Sequence, residues 1–312
     1  MVGLTSTDPP GEEALRRLEL AITRRLDGLL HGDHRGLVPA HGSEVGEARV
    51  YAEGDDVRRI DWNVTARMLD PHVRETIAER ELETWLVVDL SASLEFGTAS
   101  CTKRDLAVAA SAAVGFLTAR GGNRVGALIV RGASIEAWPA RGGRGHLRAL
   151  IRRLATAPAE SGGGATDLEP AIRRLLSPAH RRGLAVVVSD FLGRDPRMPA
   201  PWQDTLRAAA SRHDVLAVEL IDPRELELPD VGLLALIDPE TGARRHVQTS
   251  NRRIRESYAT AARAQREAIA RALRSSGVDH LVLRTDHDWL LELVRFVASR
   301  RDRVDRLRRP VR

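Results

Sequence analysis

Residues 82–93 read Leu82-Glu83-Thr84-Trp85-Leu86-Val87-Val88-Asp89-Leu90-Ser91-Ala92-Ser93. Trp85 to Val88 is a short continuous apolar run, the pattern of a strand buried on both faces. It closes on a carboxylate and two hydroxyls. Beyond it the chain alternates. The patterning predicts helices over 102–119, 145–155, 168–176, 202–211, 252–275 and 288–299. Strands are predicted over 124–131, 134–138, 184–189, 215–221 and 279–283. Residues 233–237 and 244–249, with Asp238-Pro239-Glu240-Thr241-Gly242 between them, read as a hairpin. Apolar strands alternating with helices predict an α/β fold, a doubly wound and mostly parallel sheet with helices on both faces. Ligands of such sheets bind beyond the carboxyl ends of the strands.

Upstream, Leu15, Leu18, Ile22, Leu26 and Leu29 fall near one face of a helix expected over 12–30. Residues 37–80 are polar and irregular, with a helical stretch expected near 58–67 and a strand near 72–79. The expected division is an N-terminal helix and extension over 1–80, the α/β domain over 81–299, and a basic tail over 300–312.

Composition excludes several functions. One cysteine, Cys101, rules out a disulfide scaffold and any cluster held by thiolates. Aromatic residues, at 4%, are too few for platforms that stack single-stranded nucleic acid. The 48 basic residues exceed the 43 acidic ones by five, and all of them but Lys103 are arginine. Residues 300–312 alone contain seven Arg and two Asp, which matches the whole excess. Elsewhere most Arg alternate with Glu or Asp along the helices, as over 12–25, the pattern of an ion-paired solvated face rather than a nucleic-acid surface. No targeting segment and no spanning segment is visible, so a cytoplasmic protein is expected. The glycine-rich runs at 142–145 and 162–164 lack the Gly-Lys-Ser/Thr ending of a phosphate loop. The histidines, His213, His280 and His287 among them, form no recognisable ligand set. Cys101 has no assigned base.

Three places offer oxygen ligands: Asp89, Ser91 and Ser93 after the first strand, Thr166 after the glycine-rich loop, and Asp190 after strand 184–189. Carboxylates and hydroxyls without imidazole or thiolate suit a hard cation such as Mg²⁺. Each also has a local alternative. Thr166 can cap a helix, Ser91 and Ser93 can cap the next turn, and Asp190 can be a turn residue. In their order along the chain these residues resemble the metal-ion-dependent adhesion site of von Willebrand factor A domains. The resemblance implies that Asp89, Ser91, Ser93, Thr166 and Asp190 hold a divalent cation, Mg²⁺ first, with Mn²⁺ or Ca²⁺ also able to serve.

A second resemblance lies upstream. Tyr51-Ala52-Glu53-Gly54-Asp55-Asp56-Val57-Arg58-Arg59-Ile60-Asp61-Trp62 continues through Thr65-Ala66-Arg67 to His72-Val73-Arg74-Glu75. It is similar to the signature of the bacterial "domain of unknown function 58" family, a branch of the von Willebrand A superfamily. The likeness covers roughly residues 37–300. It implies a von Willebrand A-like fold and a MoxR-type ATPase of the AAA+ class as partner, with a chaperone-like role on a protein client. Asp55, Asp56 and Asp61 set against Arg58, Arg59, Arg67 and Arg74 would form a rigid clasp, with Gly54 in a tight turn and Trp62 packed beneath. The same segment read functionally is a docking or anion-binding surface.

Two functions compete. The first is a non-enzymatic binding module whose cation takes a carboxylate from a partner protein. The second is a metal-dependent hydrolase such as a phosphatase, with Asp167 and Ser189 as the nearby candidates for base or nucleophile.

Overall fold

The computed structural model describes residues 19–20, 22–24, 48–52, 57, 60–68, 70–74, 82–119, 123–158, 167–177, 183–193, 200–239 and 242–308. Two compact units emerge, one of Pro39–Glu81 and one of Met1–Val38 with Leu82–Arg312.

In the smaller unit, β1 (Ala48–Val50) pairs antiparallel with β2 (His72–Arg74). Between them lies α1 (Trp62–Met68). Asp61 caps that helix. Its Oδ1 accepts from the amides of Asn63 at 3.0 Å and Val64 at 3.3 Å, two donors the first turn cannot satisfy internally. The amide of Asp61 bonds the carbonyl of His72 at 2.8 Å, and Ile60 bridges Val73, so the cap is tied to β2. Trp62 departs from expectation. It is the first residue of α1 and is 70% exposed, so it is not packed beneath a clasp. The reason is local: α1 has seven residues and buries none of them, leaving no apolar side for the indole to join. Glu53 to Asp56, Arg58 and Arg59 lie outside the described residues, as do the side chain of Arg74 and the rest of the strand expected to 79. Arg67 is exposed.

In the larger unit, described residues 19–20 and 22–24 are helical, and Ile22 enters the core. The rest follows in order as β3 (Glu83–Asp89), α2 (Lys103–Ala119), β4 (Arg124–Arg131), β5 (Ser134–Arg141), α3 (Arg144–Thr156) and α4 (Glu169–Arg174). Then come β6 (Gly183–Ser189), α5 (Gln203–Ala210), β7 (Asp214–Ile221), β8 (Leu233–Ile237), β9 (Arg244–Gln248), α6 (Arg252–Ser275), β10 (Asp279–Arg284) and α7 (Trp289–Arg308). Six strands form one sheet in the order β10-β7-β6-β3-β4-β5. All neighbours are parallel except β5, which returns antiparallel on β4 through Gly132, whose φ of 52° a side chain would resist. β8 and β9 make a separate antiparallel hairpin.

Because side chains alternate across a strand, each central strand feeds two cores. Leu86 and Val88 of β3 join Val186, Val188, Val218 and Leu220 on one face, covered by α2, α3 and α7. Trp85 and Val87 join Ala185, Val187 and Ala217 on the other, covered by α4, α5 and α6. The expected doubly wound sheet is the one observed. At Gly183 the strands approach so closely that an added Cβ would lie 1.9 Å from the carbonyl oxygen of Glu83, so only glycine fits there.

The chain order along the sheet reverses at β3, since β4 lies on one side of it and β6 on the other. The crevice between β3 and β6 is therefore where this architecture presents ligand-binding groups. Both strands end there in polar residues, Asp89 and Ser189-Asp190. The last helix does not stop at Ser299 but continues to Arg308. Arg300 is buried, not part of a solvated tail. Its guanidinium meets Asp214 and, at 2.7 Å, Asp279, carboxylates at the starts of β7 and β10.

Candidate metal centre

Asp89 is the last residue of β3, at 2% exposure. Its Oδ1 accepts from the amide of Ser91 at 2.9 Å, a tight turn that carries the chain away from the sheet. Its Oδ2 accepts from the hydroxyl of Ser189, at the end of neighbouring β6, at 2.7 Å. A short 3₁₀ turn over Ala92–Glu95 then points Ser93 back into the crevice. The Ser93 hydroxyl donates to Asp190 Oδ2 at 2.8 Å. A hydroxyl has one hydrogen, so in the 3.1 Å contact between Ser91 Oγ and Ser93 Oγ the donor is Ser91.

Asp190 is placed by a strained turn. Phe191 has φ at 54°, uncommon for a residue with a side chain, and Asp190 Oδ1 accepts from the amide of Leu192 at 3.1 Å. Burial of the Phe191 ring edge-on to Trp202, with centroids 5.2 Å apart, holds that turn.

Four of the five residues proposed from sequence thus converge. Thr166 lies outside the described residues. Among the described residues no three His, Cys, Asp or Glu side chains gather as a metal site, so the acidic part of this set is Asp89 and Asp190 alone. Carboxylate and hydroxyl oxygens are nonetheless the donor types that a hard cation takes. Octahedral Mg²⁺ at its usual bond length needs adjacent ligand oxygens about 2.9 Å apart. Ser91 to Ser93 at 3.1 Å and Ser93 to Asp190 at 2.8 Å lie close to that edge. The two carboxylates also act on each other. Burial, then the negative charge of Asp190, pushes the Asp89 carboxyl up from 3.8 to about 6, against the bonds from Ser189 and Ser91.

Sequence reading did not place Lys103 here. The lysine starts α2 and is fully buried. Its Nζ donates to Asp190 Oδ2 at 2.7 Å and to Glu225 Oε1 at 2.5 Å. Burial would lower its pKa, yet the charges of Asp190 and Glu225 raise it, so it is an ammonium. Asp190 is the mirror case: burial works to raise its pKa, and the Lys103 charge and hydrogen bond bring it below the usual carboxylate range. Behind Lys103 the pairing continues. Arg266 of α6 bonds Glu225 Oε2 at 2.9 Å, Glu219 Oε1 at 3.1 Å and the Asp190 carbonyl at 3.0 Å. His280, only partly buried, meets Glu219 Oε2 at 2.8 Å, so its ring already has a partner. His213 meets the Leu175 carbonyl in the same way.

The alternative catalytic groups are poorly placed. Ser189 is buried, gives its hydroxyl hydrogen to Asp89 and accepts the Phe191 amide at 3.0 Å. Asp167 accepts the amide of Glu169 at 2.9 Å near the start of α4. Burial pushes the Cys101 thiol up, away from a reactive thiolate.

"Uncharacterized protein Rv1480" of Mycobacterium tuberculosis (strain ATCC 25618 / H37Rv) is 56% identical over 294 residues, 94% of this chain and 91% of the relative. Among solved structures, BatB from Bacteroides thetaiotaomicron is 11% identical, covers 71% of this chain and 99% of its own, and has a TM-score of 0.44. The SpRpn10 VWA domain is 11% identical, covers 69% of this chain and 94% of its own, and scores 0.39. The family described as "Protein of unknown function DUF58" matches residues 47–268. With that match over more than half of its length, and a relative of high identity along nearly all of it, this chain belongs to the DUF58 family.

Proposed function

We propose that the protein is a non-enzymatic, metal-dependent binding module that works in the cytoplasm with a MoxR-type AAA+ ATPase in the assembly or maturation of a client protein. The observation that carries this reading is the convergence of Asp89, Ser91, Ser93 and Asp190 at the crevice between β3 and β6, at spacings suited to a hard cation. Those residues, with Thr166, would hold a divalent ion, Mg²⁺ first. The ion, when bound, supplies a Lewis-acidic position that a carboxylate of the partner completes. Asp89 and Asp190 bring the negative charge, and the serine hydroxyls bring neutral oxygens that leave the ion short of electrons. Burial of Ser189 and its use in two hydrogen bonds speaks against the hydrolase alternative. The ATPase enters through the family resemblance of residues 51–75. Among the described residues no helix is long and apolar enough to cross a membrane.

The test is retention of a MoxR-type ATPase from the same organism on the immobilised full chain. Retention is expected in Mg²⁺ and not in chelator, and it should be lost in Asp89→Ala whose folding is checked by melting. Retention unaffected by both chelator and Asp89→Ala would sink the metal-bridged account.

A further inference from the structure

Asp190 has little to spare for a metal ion. Its Oδ1 is held by the Leu192 amide, and its Oδ2 takes both the Ser93 hydroxyl and the Lys103 ammonium. A divalent ion drawing on Oδ2 would share that oxygen with a positive charge already at 2.7 Å. Neither cation is screened there, because Lys103 is fully buried and Asp190 is 2% exposed. The ammonium has a second partner. Glu225 Oε1 stands 2.5 Å from Nζ, and Glu225 is itself fixed through Oε2 by Arg266 and by the Asp222 amide at 3.1 Å. A carboxylate therefore waits for Lys103 when Asp190 is taken away.

The choice of residue supports a role beyond neutralisation. In a chain where every other basic residue is arginine, the single lysine occupies this position. A guanidinium carries five donors in a rigid fork, whereas an ammonium is a compact charge that pivots between two oxygens.

We infer that Lys103 is the resident cation of this site, and that a divalent ion binds at Asp89, Ser91, Ser93 and Asp190 only in exchange for the Lys103–Asp190 ion pair. Lys103 then sets the ion affinity. The inference rests on the reading of these residues as an ion site and adds what regulates it. Loading the site moves the ammonium wholly onto Glu225, which connects ion occupancy to Arg266 and hence to α6 and β7.

Two measurements on the full chain test it. The first uses the wild type. Isotope-labelled lysine gives one side-chain signal by NMR, because there is one lysine. Titration with Mg²⁺ is expected to shift that signal in step with the ion's effect on melting temperature, and to leave it unmoved in Asp89→Ala. The second is Mn²⁺ affinity, read by electron paramagnetic resonance of free Mn²⁺. Lys103→Met is expected to bind Mn²⁺ at least about tenfold more tightly than wild type. Lys103→Met with Glu225→Gln, which removes the carboxylate left unpaired, is expected to do the same. A purely structural lysine would lower the melting temperature and leave affinity alone. An unmoved lysine signal while Mg²⁺ raises the melting temperature, or equal Mn²⁺ affinity with and without Lys103, overturns the exchange and leaves the ion site standing. Absence of Mn²⁺ binding and of any Mg²⁺ melting shift in the folded wild type and variants overturns both.

Discussion

Asp89 costs the ion-free protein stability, and the sign can be worked out. Its carboxyl sits at about 6 in the folded protein against 3.8 in an unfolded chain, first through burial and then through the charge of Asp190. The folded state therefore holds the proton more tightly than the unfolded state does. Asp89 contributes stability below 3.8 and loses it as pH rises through about 6. The full linkage is on the order of 3 kcal/mol. In chelator, Asp89→Asn should be more stable than wild type by about 1–2 kcal/mol at neutral pH, with the gap closing towards about pH 4. Urea denaturation across that range measures it, and a gap independent of pH would refute the account. With saturating Mg²⁺ the order should reverse, because only wild type keeps the ion's carboxylate. Asp89, Ser91, Ser93 and Asp190 were legible in the sequence because each lies within a few residues of a strand end, where local pattern fixes position. Lys103 was not. Its partners Asp190 and Glu225 are 87 and 122 residues away, and only the folded sheet brings them to it. The one available signal was its singularity among arginines.

Among the elements, strands were the easiest to read. An apolar run such as 184–189 can be satisfied only inside the sheet, and β6 lies there with every residue buried. Helix ends were harder. The sequence predicts a helix over 288–299 followed by a basic tail over 300–312. The helix instead continues to Arg308, and its Arg300 reaches back to Asp214 and Asp279. That pairing ties α7 to the starts of the two strands at one edge of the sheet. Arg300 is 6% exposed, while its partners are partly open to solvent, which tempers the interaction. Arg300→Ala should destabilise the fold by about 2 kcal/mol, because Asp214 and Asp279 both lose the guanidinium they share. Arg300→Ala with Asp214→Asn should recover part of the loss. Thermal melts of the variants decide it, and a change below about 0.5 kcal/mol in the single variant would remove Arg300 as an anchor.

For the whole molecule, the reversal of chain order at β3 explains why residues 100 apart in sequence meet. Ser189 reaches Asp89 because β6 and β3 are adjacent parallel strands whose carboxyl ends share one crevice. The charge distribution follows a different logic. Along α6 Arg252 pairs with Glu256 and Arg271 with Glu267 at the solvent face, while Arg266 turns inward to Glu219 and Glu225. The formal excess is left to the end of the chain. Residues 301–312 hold six Arg and two Asp, so a chain ending at Arg300 carries +1 instead of +5. Since Arg300 is the anchor of α7, that shortened chain should keep the melting temperature and Mg²⁺ response of the full one. It should also leave a heparin column at clearly lower salt, because polyanion binding falls with the number of basic contacts available. Unchanged elution would mean that the basic surface lies on the body of the protein. A collapse in melting temperature would mean that α7 needs its last two turns, and that the arginines there pack as Arg300 does.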